Sequence, residues 1–153
     1  MNVNTSRNQV IIPWGPGADV APQDLKFEAK ARGLMKNTDR VANHHIENPD
    51  GYRSDFSGDL DPDPSRILRT STRNGVQYVL EVKTDGADTP KPTSLNLLST
   101  SDDSYQESAT WKNGQIVSLT YKEGGATTEL RVNDNGTLTF TETEPPKEET
   151  LLT

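Results

Sequence analysis

The stretch that decides the fold is YQESATWKNGQIVSLTY, residues 105–121. Apolar or aromatic residues stand on alternate positions on each side of an Asn-Gly pair: Tyr105, Ala109 and Trp111, then Val117, Leu119 and Tyr121. A period of two with one apolar face is typical of half-buried antiparallel strands. An Asn-Gly pair favours the type I′ turn that joins such strands. The stretch therefore predicts a β-hairpin of residues 105–112 and 115–122.

The same pattern extends in both directions from this hairpin. Asn74-Gly75, Gly124-Gly125 and Asn135-Gly136 separate further alternating runs and predict further turns. We predict a mainly β fold, a seven-strand antiparallel meander with strands at 66–73, 76–84, 93–100, 105–112, 115–122, 127–133 and 137–143. The residues expected to face inward are Tyr78, Leu80, Val82, Trp111, Val117, Leu119, Tyr121, Leu130, Val132, Leu138 and Phe140.

A flat sheet with one apolar face would leave that face in water, so the meander must curl or fold over. The inward set fits a small barrel and a sandwich equally well. The aromatic members Tyr78, Trp111, Tyr121 and Phe140 share the core parity, so they either pack the core or form a stacking platform for a ligand.

The N-terminal part differs in character. Pro22 suits the first turn of a helix, and Phe27, Ala31 and Leu34 fall on one stripe, which predicts a short helix at about 22–37. No sustained period follows in residues 37–65. We therefore divide the chain into an extended arm at 1–64 that carries the helix and an Asp/Pro-rich loop, a β-meander domain at 65–145, and a tail at 146–153.

Composition restricts the partners. The chain has 153 residues, 30% of them hydrophobic, no cysteine, and a net charge of −7. Such an acidic protein lacks the basic surface that nucleic acids and anionic membranes select, so we expect neither as a partner. Residues 1–7 are polar and contain no secretory signal pattern. The sequence does not determine the localisation, for which a virion and the cytoplasm are the two candidates. The trio Arg66, Arg69 and Arg73 is interpreted as a solvated strand edge.

Metal and catalytic motifs are weak. Alternating Asp55, Asp59, Asp61 and Asp63 resemble the start of a calcium loop, but Pro64 and Thr70 occupy the positions of its glycine and its final acidic residue. The adjacent His44 and His45 diverge on either a helix or a strand, so they are not expected to share a metal. We predict no metal and no cofactor.

Carboxylate pairs such as Glu81 with Glu107 or Glu129 are interpreted as solvated outward positions, since we take their parity to differ from the core series. No nucleophile motif or phosphate loop is present in the sequence. We therefore expect a protein that is not an enzyme.

The segment NQVIIPWGPG, residues 8–17, is apolar but rich in proline and glycine. A self-contained meander does not require it, so it either caps an open barrel end with Trp14 or lies on a neighbouring subunit. The expected partner-binding residues are Ile11, Ile12, Trp14, Phe27 and Leu34.

In composition the chain resembles structural proteins of phage particles, such as decoration or tail-adaptor subunits. This resemblance implies a structural or assembly protein in a homo- or hetero-oligomer, whose N-terminal arm docks on partner subunits. The alternative is a small β-barrel that binds a hydrophobic ligand or inhibits another protein. A third hypothesis is a calcium-dependent adhesin.

Overall fold

The computed structural model describes residues 6–47, 65–101 and 104–144. Its elements, in chain order, are β1 (Ser6–Pro13), a 3₁₀ turn (Pro22–Asp24), α1 (Leu25–Glu47), β2 (Arg66–Arg73), β3 (Val76–Thr84), β4 (Pro92–Ser99), β5 (Tyr105–Lys112), β6 (Gln115–Glu123), β7 (Ala126–Val132) and β8 (Thr137–Glu144). The mainly β class is confirmed, and the seven predicted strands lie within a residue of their observed bounds.

All eight strands form one open antiparallel sheet in the order β1-β8-β7-β6-β5-β4-β3-β2. The meander from β2 to β8 is as predicted, but the sheet neither closes into a barrel nor folds into a sandwich. Instead, α1 lies against its apolar face, with Ala31 and Ala42 fully buried there. The helix and the sheet thus form two layers, and the helix shields the apolar face of the sheet from water.

The register aligns one apolar row across all eight strands. Its members, each directly opposite the next, are Ile67, Val82, Leu95, Ala109, Leu119, Leu130, Phe140 and Val10. The first seven are buried, and Val10 is half-buried at the edge. Because side chains alternate faces along a strand, a slip of one residue would turn a member of this row towards water, so the row fixes the register.

The eighth strand, β1, was not predicted as a strand. Residues 6–13 lie in the segment that we predicted to be part of an extended arm, yet they pair with β8 from Ser6 opposite Glu144 to Pro13 opposite Thr137. Proline is compatible with this position because β1 is an edge strand and Pro13 is its last residue. The described part of the predicted arm, residues 6–47, therefore packs on the meander.

The helix is also longer than predicted, since α1 continues to Glu47. The buried residues of its second half are Thr38, Ala42 and His45, which are spaced four and three residues apart on one face. Two of these three are polar, but Val41 and Ile46 also pack against the core, so the apolar stripe continues past the predicted end of the helix. The polar side chains are buried because the sheet offers polar partners there.

Two of the predicted Asn-Gly turns have the expected conformation, and the third differs. Asn74 and Gly75 have φ of 50° and 80°, and Asn113 and Gly114 have φ of 54° and 79°, as a type I′ turn requires. In the third loop, among its residues 133–136, only Gly136 has a positive φ, 83°. This longer loop places its left-handed residue last, a common alternative hairpin geometry.

The inward set needs one correction, in β6. Trp111 pairs with Ile116, and Thr110 pairs with Ser118, so Val117 is the extra residue of a β-bulge. The bulge turns Ile116 into the core, where it is 8% exposed, and leaves Val117 half-buried. Strict alternation assigned Val117 to the core because a bulge leaves no signal in the period.

We predict that Gly33→Ala stabilises the protein. Gly33 is exposed in the middle of α1, and a Cβ built there meets no heavy atom within 4 Å. Alanine should raise the free energy of unfolding by about 0.5–1 kcal/mol and Tm by about 2–4 °C per kcal/mol, measured by thermal denaturation. Gly75→Ala is the opposite control, because its φ of +80° should make alanine destabilising. A Gly33→Ala protein that melts no higher than the wild type would contradict this account of the helix.

Candidate functional site

The main candidate site is a groove of about 430 Å³ at one end of the sheet, which we call the Trp14 groove. It lies between the segment after β1, one side of α1 and the β5–β6 turn. Its lining residues are Trp14, Gly15, Pro16, Arg32, Met35, Lys36, Asp39, Gly114, Gln115 and Ile116. The volume is in the range of small-molecule sites.

Backbone contacts hold the Trp14 segment in place. The Trp14 amide donates to the Gly136 carbonyl at 2.9 Å, which ties the segment to the β7–β8 turn. The chain then turns through Gly15 and Gly17, whose φ values of 119° and 73° suit glycine. The glycines therefore shape a fixed wall and bring the indole ring to the helix.

Two cations and one carboxylate line this groove. The Arg32 guanidinium lies over the Trp14 ring, 4.4 Å from its centroid. Its Nε is 3.7 Å from a Glu28 carboxylate oxygen, a long and half-exposed ion pair. Asp39 accepts a hydrogen bond from the Trp111 indole nitrogen at 3.0 Å, so this carboxylate is engaged in holding the core aromatic. The groove thus has an apolar wall next to two basic side chains, Arg32 and Lys36.

The five predicted partner-binding residues separate in the structure. Ile12 is fully buried, and Phe27 and Leu34 are partly buried against the core, with the Phe27 ring 5.3 Å from that of Phe140. Ile11 is 62% exposed on the opposite face of the sheet, and Trp14 is half-buried in the groove. Three of the five residues therefore belong to the core, and Ile11 and Trp14 lie at two separate places on the surface.

A second candidate site is a polar row beside the apolar row, on the same face of the sheet. Opposite one another across the strands lie Arg69, Leu80, Leu97, Glu107, Tyr121, Thr128, Glu142 and Asn8. Polar residues of α1 meet this row at three strands. Lys30 pairs with Glu142 on β8, Thr38 donates to Glu107 on β5 at 2.7 Å, and His45 lies beside Arg69 on β2.

The interpretation of Glu107 as a solvated outward residue was wrong. Glu107 has the parity of Tyr105 and Trp111 and lies on the helix-covered face. One oxygen accepts from Thr38, and the other accepts from the Tyr105 hydroxyl at 3.1 Å. The parity signal was present in the sequence, but a carboxylate between aromatic residues was taken as isolated from the core series.

Three tyrosine rings extend this network. Tyr105 stands edge-to-face with Tyr78 at 6.0 Å and with Tyr121 at 5.5 Å between centroids, so the aromatic set packs on itself. Burial and the neighbouring Glu107 raise the pKa of Tyr105 well above its ordinary value. Burial and the Glu123 hydrogen bond raise the pKa of Tyr121 to about 12. Both phenols therefore remain protonated donors at neutral pH.

We predict that Thr38→Val destabilises the protein, because it removes the one donor that α1 gives to Glu107 in this network while keeping the side-chain shape. Losing a buried hydrogen bond to a charged group should cost about 1–3 kcal/mol of unfolding free energy, measured by urea denaturation. The matched control is Thr110→Val, which removes an exposed bond to Ser118 and should change stability by less than about 0.5 kcal/mol. Equal effects of the two variants would mean that the Thr38 contact does not hold the helix.

The interpretation of Arg69 as part of a solvated edge was also wrong. Arg69 is 3% exposed and faces α1, whereas Arg66 is half-exposed and pairs with Glu81 at 2.7 Å. His45, 1% exposed, is its neighbour on the helix. Burial, the Arg69 charge and the exposed His44 lower the pKa of His45 to about 4. The imidazole is therefore neutral in the folded protein at neutral pH.

We predict a loss of stability in acid that depends on His45. Below pH 6.5 the unfolded chain binds a proton at His45, and the folded chain does so only near pH 4. The unfolding free energy should therefore fall by about 2 kcal/mol from this group alone between pH 7 and pH 5. Urea denaturation at both pH values should show a correspondingly smaller drop for His45→Gln, and a drop close to that of the wild type for His44→Gln, the exposed control, because His44 contributes least to the shift. A His45→Gln drop equal to that of the wild type would refute the assignment.

The potential metal ligands that the sequence analysis considered lie partly within the described residues. Within residues 6–47, 65–101 and 104–144, no group of three potential metal ligands is found. His44 is exposed and His45 is buried, so the pair diverges as expected. Asp55, Asp59, Asp61 and Asp63 lie outside the described residues. Glu129 lies on the outer face, in a polar groove with Gln9 and Arg131.

No family model and no curated protein match the chain. Among solved structures it is similar to the crystal structure of the Mll3558 protein from Rhizobium loti, with 18% identity over 96% of this chain and 82% of that chain. The TM-score is 0.20, so this similarity carries no argument about fold or function. In the described part of the chain, no helix has the length and hydrophobicity needed to cross a membrane.

Proposed function

We propose that the protein is a non-enzymatic structural or assembly protein, and that it joins a second copy of itself through the free edge of β1. The observation that carries this proposal is the position of β1 in an open sheet. Among the described residues, β1 is hydrogen-bonded to β8 on one side only. Its other side presents backbone donors and acceptors that can extend a sheet into another chain.

The side chains of the two edge strands differ. Soluble proteins commonly place charged residues on an edge strand to prevent pairing. The β2 edge carries Arg66 and Arg73, whereas residues 8–13 of β1 carry no charge. Ile11, 62% exposed, has the largest exposed fraction among the exposed large hydrophobic residues. From residue 8 to residue 13 the β1 edge therefore carries no charge that opposes pairing, and Ile11 adds an exposed apolar side chain.

A second copy is the occupant that fits this edge. Antiparallel pairing of two β1 strands about a two-fold axis at Val10 sets Ile11 of one copy beside Gln9 of the other. The same axis sets Arg7 opposite Pro13, so it brings no two like charges together. The resulting sheet would be continuous across both copies.

We predict that Ile11→Lys abolishes this assembly. A lysine on the outer face of β1 places two like charges close together across the two-fold axis without touching the buried row. Light scattering after gel filtration should give about twice 16.9 kDa for the wild type and 16.9 kDa for the variant. The matched control is Thr72→Lys, an exposed outer-face position on the other edge strand, which should remain dimeric. A wild type that is monomeric at all concentrations, or a Thr72→Lys monomer, would overturn the proposal.

The composition supports a virion subunit as the setting of this assembly. The alternative function, a binding module for a small ligand, is favoured by a separate observation, the Trp14 groove. The proposed assembly edge and the Trp14 groove are separate sites. Ile11 lies on the outer face of β1, whereas Trp14 follows the strand and lines the groove at the end of the sheet.

A further inference from the structure

We infer that the Trp14 groove binds a small amphiphilic carboxylate, a molecule with an apolar body and one carboxylate group. This inference does not rest on the proposed assembly through β1. It rests on the shape of the groove, on its apolar wall and on the two cations that line it.

The apolar body would lie against Trp14, Pro16, Met35 and Ile116. Trp14 and Met35 are half-buried, and Ile116 belongs to the core, so this wall rests on packed residues. A groove of about 430 Å³ accommodates a chain of about ten carbons. Methionine is adaptable in shape, so it suits contact with a flexible aliphatic or aromatic body.

The carboxylate would bind Arg32, with Lys36 beside it. A guanidinium stacked on an aromatic ring keeps its N–H donors free around its edge, in the geometry that pairs with a carboxylate. The stack on Trp14 at 4.4 Å therefore orients Arg32 for such a pair. Lys36 follows four residues later on α1 and lines the same groove.

Two carboxylates of the chain are close enough to compete with a bound ligand for Arg32 and Lys36. Glu28 is 3.7 Å from Arg32 Nε, a distance that leaves the guanidinium available for a closer partner. Asp39 is held by the Trp111 indole. Among the residues that line the groove, Arg32 and Lys36 outnumber Asp39, so the lining carries one net positive charge, although the whole chain carries −7.

The test uses the full chain and decanoate as the probe, with decan-1-ol as the neutral probe of the same chain length. Isothermal titration calorimetry should give a Kd for decanoate of about 1 mM or tighter. Decan-1-ol should bind at least about fivefold more weakly because it cannot pair with the cations. Tryptophan fluorescence on the same titration should respond, and Trp14→Phe should remove most of the response.

Matched variants distinguish binding by the two cations of the groove from a general effect of the net charge of the protein. Arg32→Gln and Lys36→Gln should each weaken decanoate binding by about three- to fivefold. Arg40→Gln removes the same charge from an exposed α1 residue that bonds to Asn37, and it should leave the Kd unchanged. All three positions are exposed, so circular dichroism should show the wild-type fold.

Three results would overturn the inference. They are no binding of decanoate, equal binding of decan-1-ol, and an Arg40→Gln effect as large as that of Arg32→Gln. Ile11→Lys should bind decanoate like the wild type, so failure of the assembly proposal and failure of this inference are distinguishable.

Discussion

The fold depends on keeping one row of side chains dry. The row runs from Ile67 on β2 to Val10 on β1 and crosses every strand, and a single open sheet has nothing of its own to cover it. The helix supplies that cover through Phe27, Ala31, Leu34 and Ala42, which pack against or belong to the buried cluster. Only 30% of the residues are hydrophobic, which is enough for one layer of core between the sheet and the helix. Packing in two layers is consistent with this small apolar content.

The neighbouring polar row explains how the helix is positioned. Apolar packing is non-directional and tolerates sliding, whereas hydrogen bonds and buried charges require particular partners. Lys30 at Glu142, Thr38 at Glu107 and His45 beside Arg69 are spaced eight and seven residues apart on α1, about two turns each. The two bonded pairs, on β8 and β5, therefore set the direction in which the helix crosses the sheet. The buried polar atoms lower the hydrophobicity of the second half of α1 and give it one specific position.

Much of this architecture is predictable from the sequence, and the exceptions share a physical cause. The seven strands of the meander follow from alternation and turn residues, which are local signals. The missed features all depend on contacts far away in sequence. Residues 6–13 pair as a strand with β8, and the second half of α1 packs on the sheet through Val41, Ala42 and Ile46 and through the Thr38 bond to Glu107. Arg69 and Glu107 look like surface residues until the polar face of α1 is known to cover them.

Residues 8–17 contribute to both the core and the surface, and this explains why the segment combines apolar residues with proline and glycine. Ile12 completes the buried face of the sheet, while Ile11 must point outwards because neighbouring residues on a strand alternate. Pro13 ends the pairing, Gly15 and Gly17 turn the chain after Trp14, and the Arg32 guanidinium lies over the half-buried Trp14 ring. The core requires Ile12, but it does not require an isoleucine at the exposed position 11 or a tryptophan at the mouth of a groove. The residues of this segment that packing leaves unexplained are therefore the ones on which we base the proposed assembly edge and the proposed ligand groove.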